Sequence, residues 1–412
     1  MNKSSLETIN RHFCMYCKNE LLSEEEISFQ AHQSCLNEIT IYTKEHEITR
    51  SFDKPVATFL LDIFFLLGIP FEKHDFSGER KVNRFGRILH SHQKETIEIE
   101  VVNRKLISIH ISGTILSTIP DSIREVVTLK RIWLSNNQIS EFPIVICQLP
   151  ALEELFLDGN NITSIPNEIG SLTALKKLDI AGNNDFPLCV EVDRRSLFKR
   201  DNKITSLPDS ICQLKNLEEL YLHRNNLTSL PENIGNLSNI SKLTLEANKL
   251  SELPESITNL KKLCELNVNH NCLRNLPINI GLMSNIEHLS AESNSLIELP
   301  NSICELTKLT SLYLGNYSIW YNPNIDQEEH NSLTSLPDSI IKLKKLTTLG
   351  LAYNDFEEYP SCLTRLPSLK YLYMYGNKLP KPPKSLERFF RFDNGTIPHK
   401  GYFDRRKKDK KK

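Results

Sequence analysis

A 23-residue period runs through most of this 412-residue chain and leaves few folds open. Three stretches show it: LEELFLDGNNITSIPNEI from Leu152, LEELYLHRNNLTSLPENI from Leu217 and LTTLGLAYNDFEEYPSCL from Leu346. One pattern, LxxLxLxxNxLxxLPxxI, fits all three. Its asparagine place falls at Asn137, Asn160 and Asn183, then at Asn202, Asn225, Asn248, Asn271 and Asn294, and after a second break at Asn331, Asn354 and Asn377. Extended backwards the ruler lands on Thr114, and extended past Asn294 it lands on Tyr317. A proline column follows six residues behind, from Pro120 and Pro143 to Pro360 and Pro383. It takes eleven of the chain's 20 prolines, so the period is not accidental.

Each column has a physical task. The LxL residues alternate in and out as a short strand, with the residue between them facing outward. The chain then turns, and an asparagine amide can satisfy backbone groups that the turn leaves unpaired. Proline, with no N–H and a fixed φ, suits the return segment and keeps it from growing into a long helix. One such unit cannot bury its apolar face alone. Neighbours complete the core, and stability accumulates along the array.

The pattern resembles the leucine-rich repeat family. The leucine-proline step at 23 residues is similar to its intracellular class, which includes the Ras-pathway scaffolds and the plant intracellular Ras-group-related proteins. The resemblance covers about residues 106–388 and implies an α/β solenoid: a horseshoe of about eleven repeats with a parallel β-sheet on its concave face. It also implies binding of protein partners, with small GTPases or their regulators as one class. A monomer is the expectation.

The ends of such an array need covers. Residues 49–105 are expected to form an α/β cap: a buried helix in PVATFLLDIFFLLGIPF, Pro55 to Phe71, and one or two strands in TIEIEVVNRKLISIHIS turning at Asn103-Arg104. The apolar run is shorter than the ~20 residues of a membrane helix and carries Asp62. Residues 389–412 are read as a C-terminal cap, with Phe389, Phe390 and Phe392 available to cover the last core, followed by a basic disordered tail. Two insertions interrupt the ruler, near 184–202 and 318–331. Both start right after the asparagine place and so leave from one rim. They serve either as partner contacts, with Trp320 and Tyr321 the candidates, or as tolerated surface loops.

The ruler also assigns the outward strand residues. Candidate partner-binding positions are Trp133 beside Phe156, Tyr221, His223, Glu246, Glu292, Tyr313, Tyr373 and Tyr375. Exposed Trp and Tyr are unusual and are enriched at binding hot spots. The plainer alternative is that any long solenoid shows some aromatics on this face.

In front of the array stands C-x2-C-x14-H-x2-C: Cys14, Cys17, His32 and Cys35. Three thiolates and an imidazole make a closed tetrahedral zinc set, with no open position for catalytic water. The layout, residues 1–48, resembles a treble-clef finger or one zinc half of a LIM domain. Its second ligand pair would open a helix through LNEITIYTKEHEI, with Leu21 and Phe29 as a small core. The expected cofactor is one structural zinc. A RING-type ligase would need four further ligands, which His12 and His46 cannot supply.

Net charge is −1, but RRKKDKKK at 405–412 carries +6, leaving about −7 elsewhere, which argues against nucleic acid as the main partner. That basic run is either a solvated end or a contact for an acidic partner or anionic membrane. Seven cysteines outside the zinc motif form no paired pattern, and MNKSSLETINRHFC lacks an apolar run. Both point to reduced thiols and a cytoplasmic location. No GxxxxGK[ST], GxSxG or HExxH is present, and no GxGxxG follows a strand. The sequence reading is therefore a non-enzymatic scaffold or adaptor with the zinc module as second docking site. Its alternatives are a nucleic-acid-associated factor using finger and tail, and a non-catalytic ubiquitin-ligase substrate adaptor.

Overall fold

The computed structural model describes residues 38–42, 47–51, 54–66, 87–89, 96–102, 105–182, 202–315 and 330–389. The four expected zinc ligands, Trp320, Tyr321, Phe390, Phe392 and the basic run lie outside the described residues. The chain divides into two compact units, Met1–Leu227 with Asn236–Ile240, and Thr228–Gly235 with Ser241–Lys412.

The first unit opens with an antiparallel hairpin, β1 (Glu38–Tyr42) and β2 (Glu47–Ser51). This corrects the helix expected through Leu36–Ile48. The stretch EITIY carries three β-branched residues in a row, which are stiff at χ1 and favour a pleated strand over a helix. A treble-clef reading of residues 1–48 loses its helix with it.

Helix α1 (Lys54–Leu66) follows. Val56, Phe59, Leu60 and Ile63 recur at helical spacing and are buried. Full burial of such side chains contributes roughly 1.5–3 kcal/mol each. The helix docks on the return segment of the first repeat, where the Ser122 hydroxyl donates to the Asp62 carboxylate. Burial raises the Asp62 pKa, and the Ser122 bond opposes that rise. Strands β3 (Arg87–Leu89), β4 (Thr96–Val102) and β5 (Lys105–Ser112) form an antiparallel meander, and the turn expected at Asn103-Arg104 lies outside the described residues.

From β5 the sheet becomes parallel, through β6 (Arg131–Trp133), β7 (Glu154–Phe156), β8 (Lys177–Asp179) and β9 (Glu219–Tyr221). The second unit repeats the plan with β10 (Lys242–Thr244), β11 (Glu265–Asn267), β12 (His288–Ser290), β13 (Ser311–Tyr313), β14 (Thr348–Gly350) and β15 (Tyr371–Tyr373), each parallel to the next. The strands β5 to β15 give eleven rungs, five in the first unit and six in the second. In every described return segment the chain makes a short 3-10 helix, with the column proline as N-cap in segments such as Asp121–Glu125 and Asp209–Gln213.

The asparagine amides do what their periodicity requires. Asn160 is fully buried. Its Nδ2 donates to Leu134 O at 2.8 Å and Leu157 O at 2.9 Å, and its Oδ1 accepts from Ile139 N at 3.1 Å. One amide thus ties two successive strand ends to a turn, and Asn225, Asn271 and Asn354 repeat the set.

The ladder also corrects where the insertions begin. Asn202 fills the place assigned to Asn183: its Nδ2 donates to Leu157 O, Ile180 O and Ala181 O, and its Oδ1 accepts from Ile162 N. Asn331 likewise fills the place assigned to Tyr317. Both insertions therefore precede the ladder asparagine instead of following it. The missing signal was in the proline column: Cys189 stands six residues after Asn183, whereas Pro208 stands six after Asn202. Strand β8 pairs directly with β9, Lys177 with Glu219, so the sheet runs on across the first insertion.

The residue before the ladder place is left-handed in most rungs, at Asn136, Arg224, Ala247, His270, Ser293 and Tyr353 as well as at Gly159 and Gly376. Gly159, at φ +61°, has no room for a side chain, since a Cβ would meet Asn136 Oδ1 at 2.2 Å. Gly376, at φ +77°, lies under the Tyr353 ring in the same way. The glycines are where one rung's side chain covers the next rung's backbone.

Candidate functional site

The leucines of each strand point into the core, and the alternate residues make an open sheet face on each unit. On the first unit His110, Trp133, Phe156, Asp179 and Tyr221 stand in register on five adjacent strands. Trp133 stacks on Phe156 at 5.5 Å and 19°, and meets the His110 ring on its other side at 5.9 Å and 49°. Such ring pairs contribute about 0.5–1.5 kcal/mol beyond burial. The row beside it runs Ser108, Arg131, Glu154, Lys177, Glu219. The Arg131 guanidinium lies 5.8 Å from the Trp133 ring centroid, in cation–π range, and is held there by the Glu100 carboxylate of β4.

The rest of this face is polar and acidic. Ser135 donates to the Asp158 carboxylate, and Asp179 Oδ1 accepts from Ala181 N at 3.0 Å. Lys177 Nζ lies 3.0 Å from Glu219, and the Tyr221 hydroxyl donates to Glu219 Oε2 at 2.6 Å. Burial and then that bond to a carboxylate push the Tyr221 pKa up, so the phenol stays a neutral donor. His223 is half-buried two places along from Tyr221.

On the second unit three rows cross β10 to β13. They are Lys242, Glu265, His288, Ser311; then Thr244, Asn267, Ser290, Tyr313; then, two residues on, Glu246, Asn269, Glu292, Gly315. They frame a groove of about 430 Å³ lined by Glu265, Asn267, Asn269, His288, Glu292 and Tyr313 among others. Asn267 Nδ2 donates to Glu246 Oε2 at 2.9 Å. Asn269 Oδ1 accepts from Ser290 Oγ at 2.8 Å and Glu292 N at 2.7 Å. Tyr313 leans over Gly350 of the next strand, where a Cβ would come within 2.9 Å of its ring. At the last rungs Tyr353 and Tyr375 meet edge to face at 5.3 Å, Tyr373 is half-buried, and Tyr371 is 53% exposed.

Burial, with the Glu246 charge as second cause, pushes the Glu292 carboxyl from its ordinary 4.5 up to about 7. A raised folded-state pKa means that the folded chain holds this proton more tightly. Its contribution to stability is full below pH 4.5 and is lost as pH rises through about 7. Glu292→Gln is therefore expected to raise the melting temperature at pH 8, by on the order of 1–3 kcal/mol of stability, and to leave it unchanged at pH 4. Thermal melts at the two pH values check this, and equal shifts at both would refute it.

The structure thus brings His110, Trp133 and Phe156 into one strip, and sets Glu292 and Tyr313 in the lining of one groove, with Glu246 bonded to the lining residue Asn267. It also corrects their exposure: Trp133, Phe156, Tyr221, Tyr313, Tyr373 and Tyr375 are half-buried. Each ring lies against the neighbouring rung, a tilt that a column of letters does not carry. Sequence reasoning missed Arg131, Glu100, Asn267, Asn269, His288 and Tyr353. The first row could have been found by counting two residues back from the outward column as well as two forward.

The described cysteines are free thiols, and Cys147, Cys212, Cys304 and Cys362 are packed in the core. Desolvation pushes Cys147 up to about 12 and Cys304 to about 11, the opposite of an activated nucleophile. Among the described residues no helix is long and apolar enough to cross a membrane. No group of three or more His, Cys, Asp or Glu among them could hold a metal ion.

Models of the leucine-rich repeat family match residues 128–184, 209–313 and 329–379. The chain is a leucine-rich repeat protein, a solenoid-like fold with a parallel strand sheet, and such repeats are generally non-catalytic modules that bind proteins. Among solved structures, a leucine-rich repeat protein of Leptospira interrogans is 33% identical at a TM-score of 0.57, covering 68% of this chain and 63% of its own. The plant peptide hormone receptor RGFR1, in complex with RGF2, is 29% identical at a TM-score of 0.52, covering 75% of this chain and 55% of its own. The ectodomain of the Arabidopsis thaliana receptor kinase GASSHO1/SCHENGEN3 shares the fold at 22% identity and a TM-score of 0.55, covering 71% of this chain and 39% of its own. The chain thus spans less than two thirds of each of these relatives. No curated protein matches it.

Proposed function

We propose that the chain is a non-enzymatic adaptor that binds a protein partner on the open face of its sheet. One observation carries the reading: the His110–Trp133–Phe156 strip presents a large aromatic surface on three adjacent rigid strands, with Arg131 clamped beside it. Trp and Arg are the residues most enriched at binding hot spots, and strands hold them with little entropy left to lose. A small GTPase or its regulator is the partner class implied by the resemblance to the intracellular leucine-rich repeat class. The free thiols support a reducing, cytoplasmic setting. The test is quantitative binding of a purified partner, once captured, to the wild type and to Trp133→Ala. Full affinity in the variant overturns the assignment of this surface.

Cys14, Cys17, His32 and Cys35 form a structural zinc module acting as a second docking site in this proposal. Its support is the ligand set itself, closed by four protein donors. Metal analysis of the full chain is expected to give one zinc per molecule, and none in a Cys14→Ser, Cys17→Ser variant. A wild-type chain without stoichiometric zinc removes the module.

A further inference from the structure

The last rung departs from its own columns in two ways. The outward places on either side of the strand centre hold no phenylalanine, tyrosine or tryptophan in the ten earlier rungs, from Ser108 and Ser112 to Thr348 and Ala352. On β15 both are tyrosine, Tyr371 and Tyr375, with Tyr373 between them. Tyr371 is 53% exposed. Four and seven places past the ladder residue, the ten earlier rungs carry no basic side chain, whereas the last carries Lys381 and Lys384. Both are exposed, as is Lys370 just before the strand. A terminal repeat needs a polar outer face, but the serines and glutamates of earlier rungs already meet that need at these places. Solubility explains neither the aromatics nor the change of charge.

Strand β15 is also the end of the described sheet. One rung earlier, the Leu351 and Tyr353 N–H groups donate to Tyr373 O and Tyr375 O at 2.7 and 2.8 Å, and Thr347 O accepts from Lys370 N and Tyr371 N. The same places on the last rung are Met374 N–H, Gly376 N–H and Lys370 O, and among the described residues no further rung bonds them. The segment Lys384–Phe389 closes the last core with Leu386 and Phe389, and among the described residues it leaves the strand edge open. Donors and acceptors at strand spacing on an open edge are a template for another extended chain. The return segment cannot share in this, since Pro380, Pro382 and Pro383 have no N–H. Pairing is thereby confined to the strand.

We propose that an extended, acidic segment of a polypeptide partner adds to β15 as a further strand. Its backbone bonds Met374 N–H, Gly376 N–H and Lys370 O, and its flanking carboxylates meet Lys370 and Lys381. At the usual ~4.8 Å between strands, its side chains stand opposite Tyr371, Tyr373 and Tyr375, where β-branched residues pair well with aromatic rings. Charge decides the occupant. Lys378 is paired with Asp355 at 3.1 Å, whereas Lys370, Lys381 and Lys384 have no carboxylate partner among the described residues. A second copy of the chain would bring the same lysines to this edge, and the chain's own run 405–412 carries +6. Both meet like charge, and an acidic strand does not. The edge is a second contact, separate from the aromatic strip, and does not depend on it.

The test uses the full chain. In the free protein the exposed Gly376 amide should exchange its hydrogen roughly a hundredfold faster than Tyr353, its bonded counterpart one rung earlier. A protected Gly376 amide, constant or rising with protein concentration, overturns the proposal, because the chain itself or a second copy then fills the edge. The probe is the blocked peptide Glu-Glu-Val-Thr-Val-Thr-Glu-Glu at up to about 5 mM. It should slow exchange at Gly376 and shift the Met374 and Gly376 amides saturably. Glu-Glu-Val-Pro-Val-Pro-Glu-Glu keeps the charge and loses backbone donors. Lys-Lys-Val-Thr-Val-Thr-Lys-Lys keeps the strand and reverses the charge. Each should bind about tenfold more weakly. Lys370→Glu with Lys381→Glu should reverse the preference between acidic and basic peptides, and Tyr371→Ser should weaken the acidic one severalfold. No saturable shift, equal binding of the proline peptide, or an acidic preference that survives the charge reversal overturns the proposal. Trp133→Ala, on the other unit, should leave peptide binding unchanged. Loss of binding at this edge and loss at the aromatic strip are therefore read separately.

Discussion

Asn160→Ala is expected to destabilise the first unit by about 3–5 kcal/mol, because three buried backbone groups lose their partner at once and each costs ~1–3 kcal/mol when left unmade. The groups are Leu134 O, Leu157 O and Ile139 N. Water cannot replace the amide, since the site is fully buried. The effect should also be local, because a repeat array is stabilised rung by rung. Hydrogen exchange at the Ile139 amide should therefore accelerate more than at Ile119, and urea unfolding should begin in the neighbouring rungs. Asn161→Ala, one residue along and partly exposed, is the control and should cost less than ~0.5 kcal/mol. Equal effects of the two substitutions would show that the ladder carries no special weight.

Trp133→Ala has the larger expected effect on binding. A central hot-spot tryptophan typically costs at least ~2 kcal/mol, or roughly 30-fold in affinity, when truncated. Three interactions go together here: the stack on Phe156, the contact with His110 and the cation–π seat of Arg131. Arg131 would keep its Glu100 partner and lose the ring that orients it. Trp133→Phe separates binding from folding. It preserves an aromatic stack at similar stability, and should recover part of the affinity, mostly through a slower dissociation rate. A partner that binds Trp133→Ala as tightly as wild type, with the fold confirmed intact, would move the binding surface elsewhere.

The sequence made the repeat legible because the constraints involved are local and recur at fixed spacing. An asparagine that must bond two strand ends and a proline that must cap a 3-10 turn leave the same letters every 23 residues. Even the errors follow from this. The insertions were placed one residue late because Asn183 satisfies the spacing, whereas Asn202 is the amide that bonds Leu157 O and Ile162 N. The helix expected through Leu36–Ile48 came from ligand spacing, and the run of β-branched residues in EITIY outweighed it.

From the amino-acid order alone came the period, the inward leucines, the outward columns and the membership of each column, all set by contacts within one repeat and its neighbour. Tertiary structure decided what those columns do once stacked. It laid Trp133 against Phe156, let Tyr313 lean into the space above Gly350, and left the Glu292 carboxylate half-buried within reach of the Glu246 charge. Ring tilt, desolvation and charge proximity depend on distances across rungs, and those exist only after the chain has wound.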